Sequence, residues 1–216
     1  FVGSGGVTIL TNGNYVVSSP KAWSTAYQSG AVRWCDASIG RTGLISAANS
    51  LVGNFPSEQV GSGGVIALAN GNYVVCSPSW DNPAYGSSSS DLTGAVTWCS
   101  SAGVVGVVSA ANSLVGSTTL DQVGSGGAIA LTNGHYVVSS PGWQNGTTSN
   151  TGAVTWCNGS TRRTGVVSAA NSLVGSTLQD RVGSGGAVAL TNGNYVVCSP
   201  MWDGAAVDVG ALTWCN

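Results

Sequence analysis

The sequence predicts an all-β protein: a four-bladed β-propeller with about four antiparallel strands per blade and a last blade one strand short. Three observations carry that expectation. The phrase Val-Gly-Ser-Gly-Gly begins at Val2, Val60, Val123 and Val182, so the 216-residue chain repeats itself at spacings of 58, 63 and 59 residues. An Asn-Gly pair between apolar, β-branched runs occurs in every repeat, at Asn12, Asn70, Asn133 and Asn192. Such a pair tolerates the positive φ of a tight hairpin turn. No stretch longer than a turn has an i, i+3, i+4 apolar rhythm, so helix is expected to be nearly absent. Small sheets that are apolar on both faces need cover on both sides, and radial packing of blades supplies it. A β-helix has coils much shorter than 58 residues, and a trefoil needs threefold repetition.

The elements follow in order within each repeat. Residues 7–10 and 15–19 read as two strands around the Asn12-Gly13-Asn14 turn. Residues 31–34 read as a third, with Val32 and Trp34 on one face and Ala31, Arg33 and Cys35 on the other. Residues 44–47 read as a fourth, within a segment that recurs at 106–116 and 165–175 but not after Cys215. The whole chain, 1–216, is expected to be a single propeller domain with repeats 2–59, 60–122, 123–181 and 182–216. The extra length of the second repeat is expected in the surface loop 81–92.

Composition narrows the function. The chain has 6 Lys and Arg, 8 Asp and Glu, one His and a net charge of −2. It lacks the basic footprint of a nucleic-acid binder. No apolar run approaches the ~20 residues of a membrane span. General acid–base chemistry usually recruits His or a tuned carboxylate pair, so no catalytic residue is assigned. Carboxylates fall in loops. Asp121 and Asp180 hold equivalent slots before Val-Gly-Ser-Gly-Gly, where turn hydrogen bonding is their expected role. His135 replaces Asn in the third hairpin turn, a position it tolerates.

Two sets of four tryptophans recur. Trp34, Trp98, Trp156 and Trp214 sit in the third strand and are expected to pack between blades. Trp23, Trp80, Trp143 and Trp202 lie just past a Pro, among polar turn residues. They are expected to be the more exposed set and the ligand-binding residues, because an indole face beside an amide or carboxylate suits either a sugar or an apolar molecule. Six cysteines fall in two slots. Cys35, Cys99, Cys157 and Cys215 follow the third-strand Trp, while Cys76 and Cys198 occupy the second strand. Two readings stand: disulfides Cys76 to Cys99 and Cys198 to Cys215, if neighbouring strands bring them together, or small buried thiols. No Cys or His spacing suits zinc, so no metal site is expected.

The string NGNYVVSSP, then Trp, then GAVTW, GVVSAANSLVGS and DQVGSGG resembles a tandem β-strand repeat of large bacterial surface proteins of the filamentous-haemagglutinin type. There a Gly often follows the second Trp, where this chain has Cys. That resemblance implies repeated strand architecture and no defined activity. Four repeats, few charges and small size also resemble fungal fruiting-body propeller proteins, which include lectins and a pink pigment-carrying chromoprotein of oyster mushrooms.

Three functions from different classes remain. The first, favoured on low charge and the second resemblance, is a non-catalytic carrier of an apolar small molecule such as a non-covalently bound polyene pigment, with no required cofactor. The second is a lectin binding a glycan through the loop tryptophans. The third is a structural or adhesive surface module. A homodimer is also expected, formed at the unpaired edge of the third strand in the fourth repeat. The sequence leaves cytoplasmic and extracellular locations equally open.

Overall fold

A computed structural model describes residues 1–84 and 91–216. Part of the 81–92 loop therefore lies outside the described residues. Among those described there is no helix, and the strands form four sheets of five, five, four and three strands. This is the predicted all-β, four-bladed, propeller-like arrangement with a short last blade.

Blade 1 contains β1 (Val7–Ile9), β2 (Tyr15–Ser19), β3 (Ala31–Cys35) and β4 (Leu51–Val52). Blade 2 contains β5 (Val65–Ala67), β6 (Tyr73–Ser77) and β7 (Ala95–Cys99), followed in sequence by β8 (Gly106–Val107) and β9 (Leu114–Val115). The third repeat gives β10 (Ala128–Ala130), β11 (Tyr136–Ser140), β12 (Ala153–Cys157), β13 (Gly165–Val166) and β14 (Leu173–Val174). The fourth gives β15 (Ala187–Ala189), β16 (Tyr195–Ser199) and β17 (Ala211–Cys215). Each first pair is an antiparallel hairpin closed on its Asn-Gly turn, where the Asn side chain accepts a hydrogen bond from the backbone two residues on, as Asn12 Oδ1 does from Asn14 N at 3.1 Å.

The fourth strand is not where the apolar pattern put it. It is the Leu-Val of Ser-Leu-Val-Gly (β4, β9, β14), and residues 44–47 form no strand. The Ser-Ala-Ala-Asn before it is a turn clamped by Asn. Asn112 Oδ1 accepts from Ser109 N at 2.9 Å, and its Nδ2 donates to Val107 O at 2.8 Å, with Asn49 and Asn171 repeating the pattern. Upstream of that turn, β8 leaves its own blade and pairs in parallel with β4 of blade 1, and β13 does the same with β9 of blade 2.

Register and alternation give every blade two faces. One carries Val7, Ile9, Tyr15, Val17, Ala31, Arg33 and Cys35 in blade 1; the other carries Thr8, Val16, Ser18, Val32, Trp34 and Leu51. We call the first the leading face, because in blades 2 to 4 it packs on the preceding blade. Three buried clusters fill the junctions of blades 1–2, 2–3 and 3–4, and a smaller one of Ala22, Ala31 and Val52 lies within blade 1. The leading face of blade 1 and the opposite, trailing face of blade 4 have no such neighbour. Val7, Ile9, Val188, Leu212 and Trp214 are exposed there.

Candidate functional site

The loop tryptophans do not form a set of ligand sites. Trp80 and Trp143 are 1% and 4% exposed and belong to the cores of the first two junctions, and Trp202 packs against the third. Each is set by the same turn: Trp80 N donates to Ser77 O, and Trp80 O accepts from Gly94 N at 2.8 Å. In blade 1 the residue that makes these two bonds is Ala22, with Ser19 and Gly30. Trp23 is thus one position out of phase with the other three and stands 69% exposed. The expected order of exposure is corrected accordingly: in repeats 2 to 4 the third-strand tryptophan is the more open one, with Trp156 exposed and Trp214 at 59%. The Pro and turn residues that suggested an exposed loop in fact bring Trp80, Trp143 and Trp202 down onto the preceding blade.

The proposed disulfides are corrected by register. Cys76 lies opposite Val96 and Cys99 opposite Tyr73; Cys198 lies opposite Leu212 and Cys215 opposite Tyr195. The two cysteines of each suggested pair are three positions apart in register and on opposite faces, beyond the reach of a disulfide. All six thiols are free. The Cys slot after Trp has a different purpose: each of its members faces a Tyr across the leading face, at Tyr15–Cys35, Tyr73–Cys99, Tyr136–Cys157 and Tyr195–Cys215. Burial pushes the thiols of Cys76, Cys99 and Cys157 up to about 12. They are small core groups rather than nucleophiles.

The carboxylates that precede Val-Gly-Ser-Gly-Gly stitch blades together, and Glu58 joins Asp121 and Asp180 in that slot. Asp121 Oδ2 accepts from Ser117 N and Thr118 N at 2.8 and 2.9 Å, and its Oδ1 accepts from Gln144 N of the next blade at 3.1 Å. Asp180 repeats this with Ser176, Thr177 and Asp203. Glu58 accepts from Phe55 N at 3.1 Å, but its Oε1 is buried with no partner. Desolvation, opposed by backbone hydrogen bonds and assisted by the Asp81 charge, raises Glu58 to about 7. Desolvation also raises Asp121. At Asp180 burial pulls upward, yet hydrogen bonds from Thr177, Asp203 and Ser176 outweigh it and the pKa is lowered. His135 is a turn residue, as expected. Its Nδ1 accepts from Gly159 N at 3.2 Å and its ring meets Trp156 edge-on at 4.9 Å. Among the described residues no group of three or more His, Cys, Asp or Glu could hold a metal ion.

What remains open on the surface is the two outer faces. On blade 1, Phe1, Val2, Lys21, Trp23, Leu44 and Ile45 line an apolar groove of about 600 Å3, with Tyr27 edge-on to Trp23 at 5.1 Å. Arg33 takes the place held by Thr97, Thr155 and Thr213 in the other blades, and it turns its guanidinium onto the carbonyls of Thr42 and Gly43 at 2.6 and 3.1 Å. On blade 4, Cys198, Ser199, Pro200, Val209 and Leu212 line a second groove. The sequence held a signal for this: the chain has one Val-Gly-Ser-Gly-Gly with no repeat before it and one third strand with no repeat after it. No helix among the described residues is long and apolar enough to cross a membrane.

Comparison with known proteins gives one match. The family described as Repeat of unknown function (DUF5650) matches at residues 9–62, 67–125, 130–184 and 189–216, nearly the whole chain. No curated protein matches the chain.

Proposed function

We propose that this chain, which belongs to the family Repeat of unknown function (DUF5650), is a non-catalytic interaction module of the structural or adhesive kind, working through its two outer blade faces. One observation carries the reading. Val60, Val123 and Val182 are buried at the three internal junctions, at 0%, 0% and 4% exposure, whereas the equivalent Val2 is 74% exposed. Exposed apolar surface that is a copy of a buried interface is surface suited to a partner. A variant with both faces made polar (Ile9→Lys, Trp23→Ser, Leu212→Asp and Trp214→Ser) tests it. The wild type should sediment above the monomer mass of 21.4 kDa and adsorb on a methyl-terminated surface, and the variant should do neither while keeping its circular dichroism. Monomeric wild type that adsorbs no better than the variant overturns the reading.

The groove beside Trp23 favours a second reading. Its apolar lining and volume suit an apolar small molecule such as a polyene pigment. An absorption spectrum of the chain purified from its natural source, with mass spectrometry of a solvent extract, decides it. A bound molecule should be lost in Trp23→Ser, and a colourless protein with an empty extract excludes this reading. A multivalent lectin is less well supported, because Trp80 and Trp143 are closed to a sugar.

A further inference from the structure

We infer that the groove on blade 4 receives the Val2-Gly3 turn of a second copy, so that chains join head to tail; this rests on the interaction-module reading above. The argument is that the chain makes the same joint three times internally. At each one the Val of Val-Gly-Ser-Gly-Gly donates its N–H to a carbonyl just before the third strand of the preceding blade: Val60 to Ser29 at 3.1 Å, Val123 to Thr93 and Val182 to Thr151 at 3.0 Å. The Gly that follows lies so close to that blade that an added Cβ on Gly61, Gly124 or Gly183 would strike Val32, Val96 or Val154. On blade 4 the residues at these places are Val209, which offers the carbonyl, and Leu212, which offers the side chain. Both line the vacant groove.

The incoming piece is already shaped. Gly3 N donates to Ser19 Oγ at 2.9 Å, as Gly61 N does to Ser77 Oγ and Gly124 N to Ser140 Oγ at 3.1 Å. Gly3 holds φ +75°, close to the +86°, +83° and +81° of its three docked counterparts, yet nothing lies within 4 Å of the Cβ it could carry. A segment fixed in its bound conformation loses little entropy on docking. Charge agrees with the pairing. Blade 1 carries Lys21, Arg33 and Arg41, whereas the fourth repeat carries Asp203 and Asp208 and no Lys or Arg. Blade 1 also lacks the buried indole, having Ala22 in its place, and carries Arg33 for Thr. The joint between chains therefore buries less than an internal one and is reversible.

Such a joint uses a different surface on each partner, so it propagates instead of closing as a twofold dimer. Two single variants separate the cases: Val2→Asp spoils the head and Leu212→Asp spoils the tail. Both positions are exposed, and unchanged thermal melts confirm that folding is intact. Head-to-tail joining predicts that wild type forms a concentration-dependent ladder of masses, weakened by salt, and that each variant alone is monomeric. Mixing the variants then restores one joint, between the sound head of Leu212→Asp and the sound tail of Val2→Asp, giving twice the monomer mass and nothing larger. A wild type that assembles while the mixture stays monomeric overturns the head-to-tail inference and leaves the module reading standing. A dimer retained by either variant alone also overturns the inference. A monomeric wild type that still adsorbs on the methyl-terminated surface overturns the inference alone, and one that adsorbs no better than the polar variant overturns both.

Discussion

The junction between blades 2 and 3 and the outer face of blade 1 are built from nearly the same sequence, yet one is interior and the other surface. At the junction Trp143 is 4% exposed and Val123 is wholly buried; on the outer face Trp23 is 69% and Val2 74% exposed. The residue types are the same. What differs is the presence of a preceding blade and, for the indole, a one-residue shift that puts Ala22 in the buried slot. In a repeat protein, burial thus belongs to the neighbour as much as to the residue.

The sharpest way to break this comparison is to truncate both tryptophans. Trp143→Ala should cost about 3–5 kcal/mol, the usual range for a buried aromatic. Trp23→Ala should stay within about 0.5 kcal/mol of wild type, as an exposed side chain would. Urea unfolding measures both, and equal losses would mean that the outer face is as packed as the junction.

The next effect concerns pH. Glu58 is raised from 4.5 to about 7, so the folded state holds its proton more tightly than the unfolded chain. The stability this supplies is full below pH 4.5 and is lost as pH rises through about 7. The loss amounts to roughly 3 kcal/mol, taking about 1.4 kcal/mol per pKa unit. Glu58→Gln should flatten that part of the stability profile. A slope unchanged in Glu58→Gln would place the titration elsewhere. Asp180, with its lowered pKa, works in the opposite sense: its contribution is present above the ordinary carboxylate range and disappears in acid.

A smaller difference separates two glycines. Gly3 and Gly124 both hold positive φ, so Ala strains both alike. Only Gly124 also sits against Val96 of the preceding blade. Gly124→Ala should therefore cost about 1–3 kcal/mol more than Gly3→Ala, the usual range for overpacking. The smallest effect is expected at Cys76→Ser. Repeats 1 and 3 already have Ser18 and Ser139 in that slot, and Ser18 Oγ donates to Gly61 O at 3.1 Å. A change of no more than about 1 kcal/mol is expected, the worth of one hydrogen bond. Thiol titration after unfolding without reductant should find six free thiols in the wild type.

Local signals in the sequence were enough for the repeat, the hairpins and the short last blade, because Asn-Gly turns and period-2 alternation are set by near neighbours. The fourth strand was misplaced by several residues. Residues 44–47 are apolar enough to read as a strand, but the Asn49 clamp spends that stretch on a turn and moves pairing to Leu51–Val52. The disulfides failed on register, a quantity fixed by pairing Tyr73 with Cys99 and not by which strands are neighbours. The loop tryptophans were misjudged because their neighbours in sequence are polar while their neighbours in space belong to another blade. Glu58 escaped notice because Glu in one repeat and Asp in two others do not look alike until their hydrogen bonds are compared.

The parallel strands β8 and β13 put the period of the sequence out of step with the period of hydrogen bonding. Leu51–Val52 of the first repeat finds its outer partner in Gly106–Val107 of the second. A gene fragment cut at the sequence boundary, residues 1–59, would leave that edge bare, whereas residues 1–107 keep the first sheet whole. Duplication or loss of a unit in evolution would face the same constraint: a cut that respects the written repeat breaks a sheet, and one that respects the sheet must fall inside the next repeat.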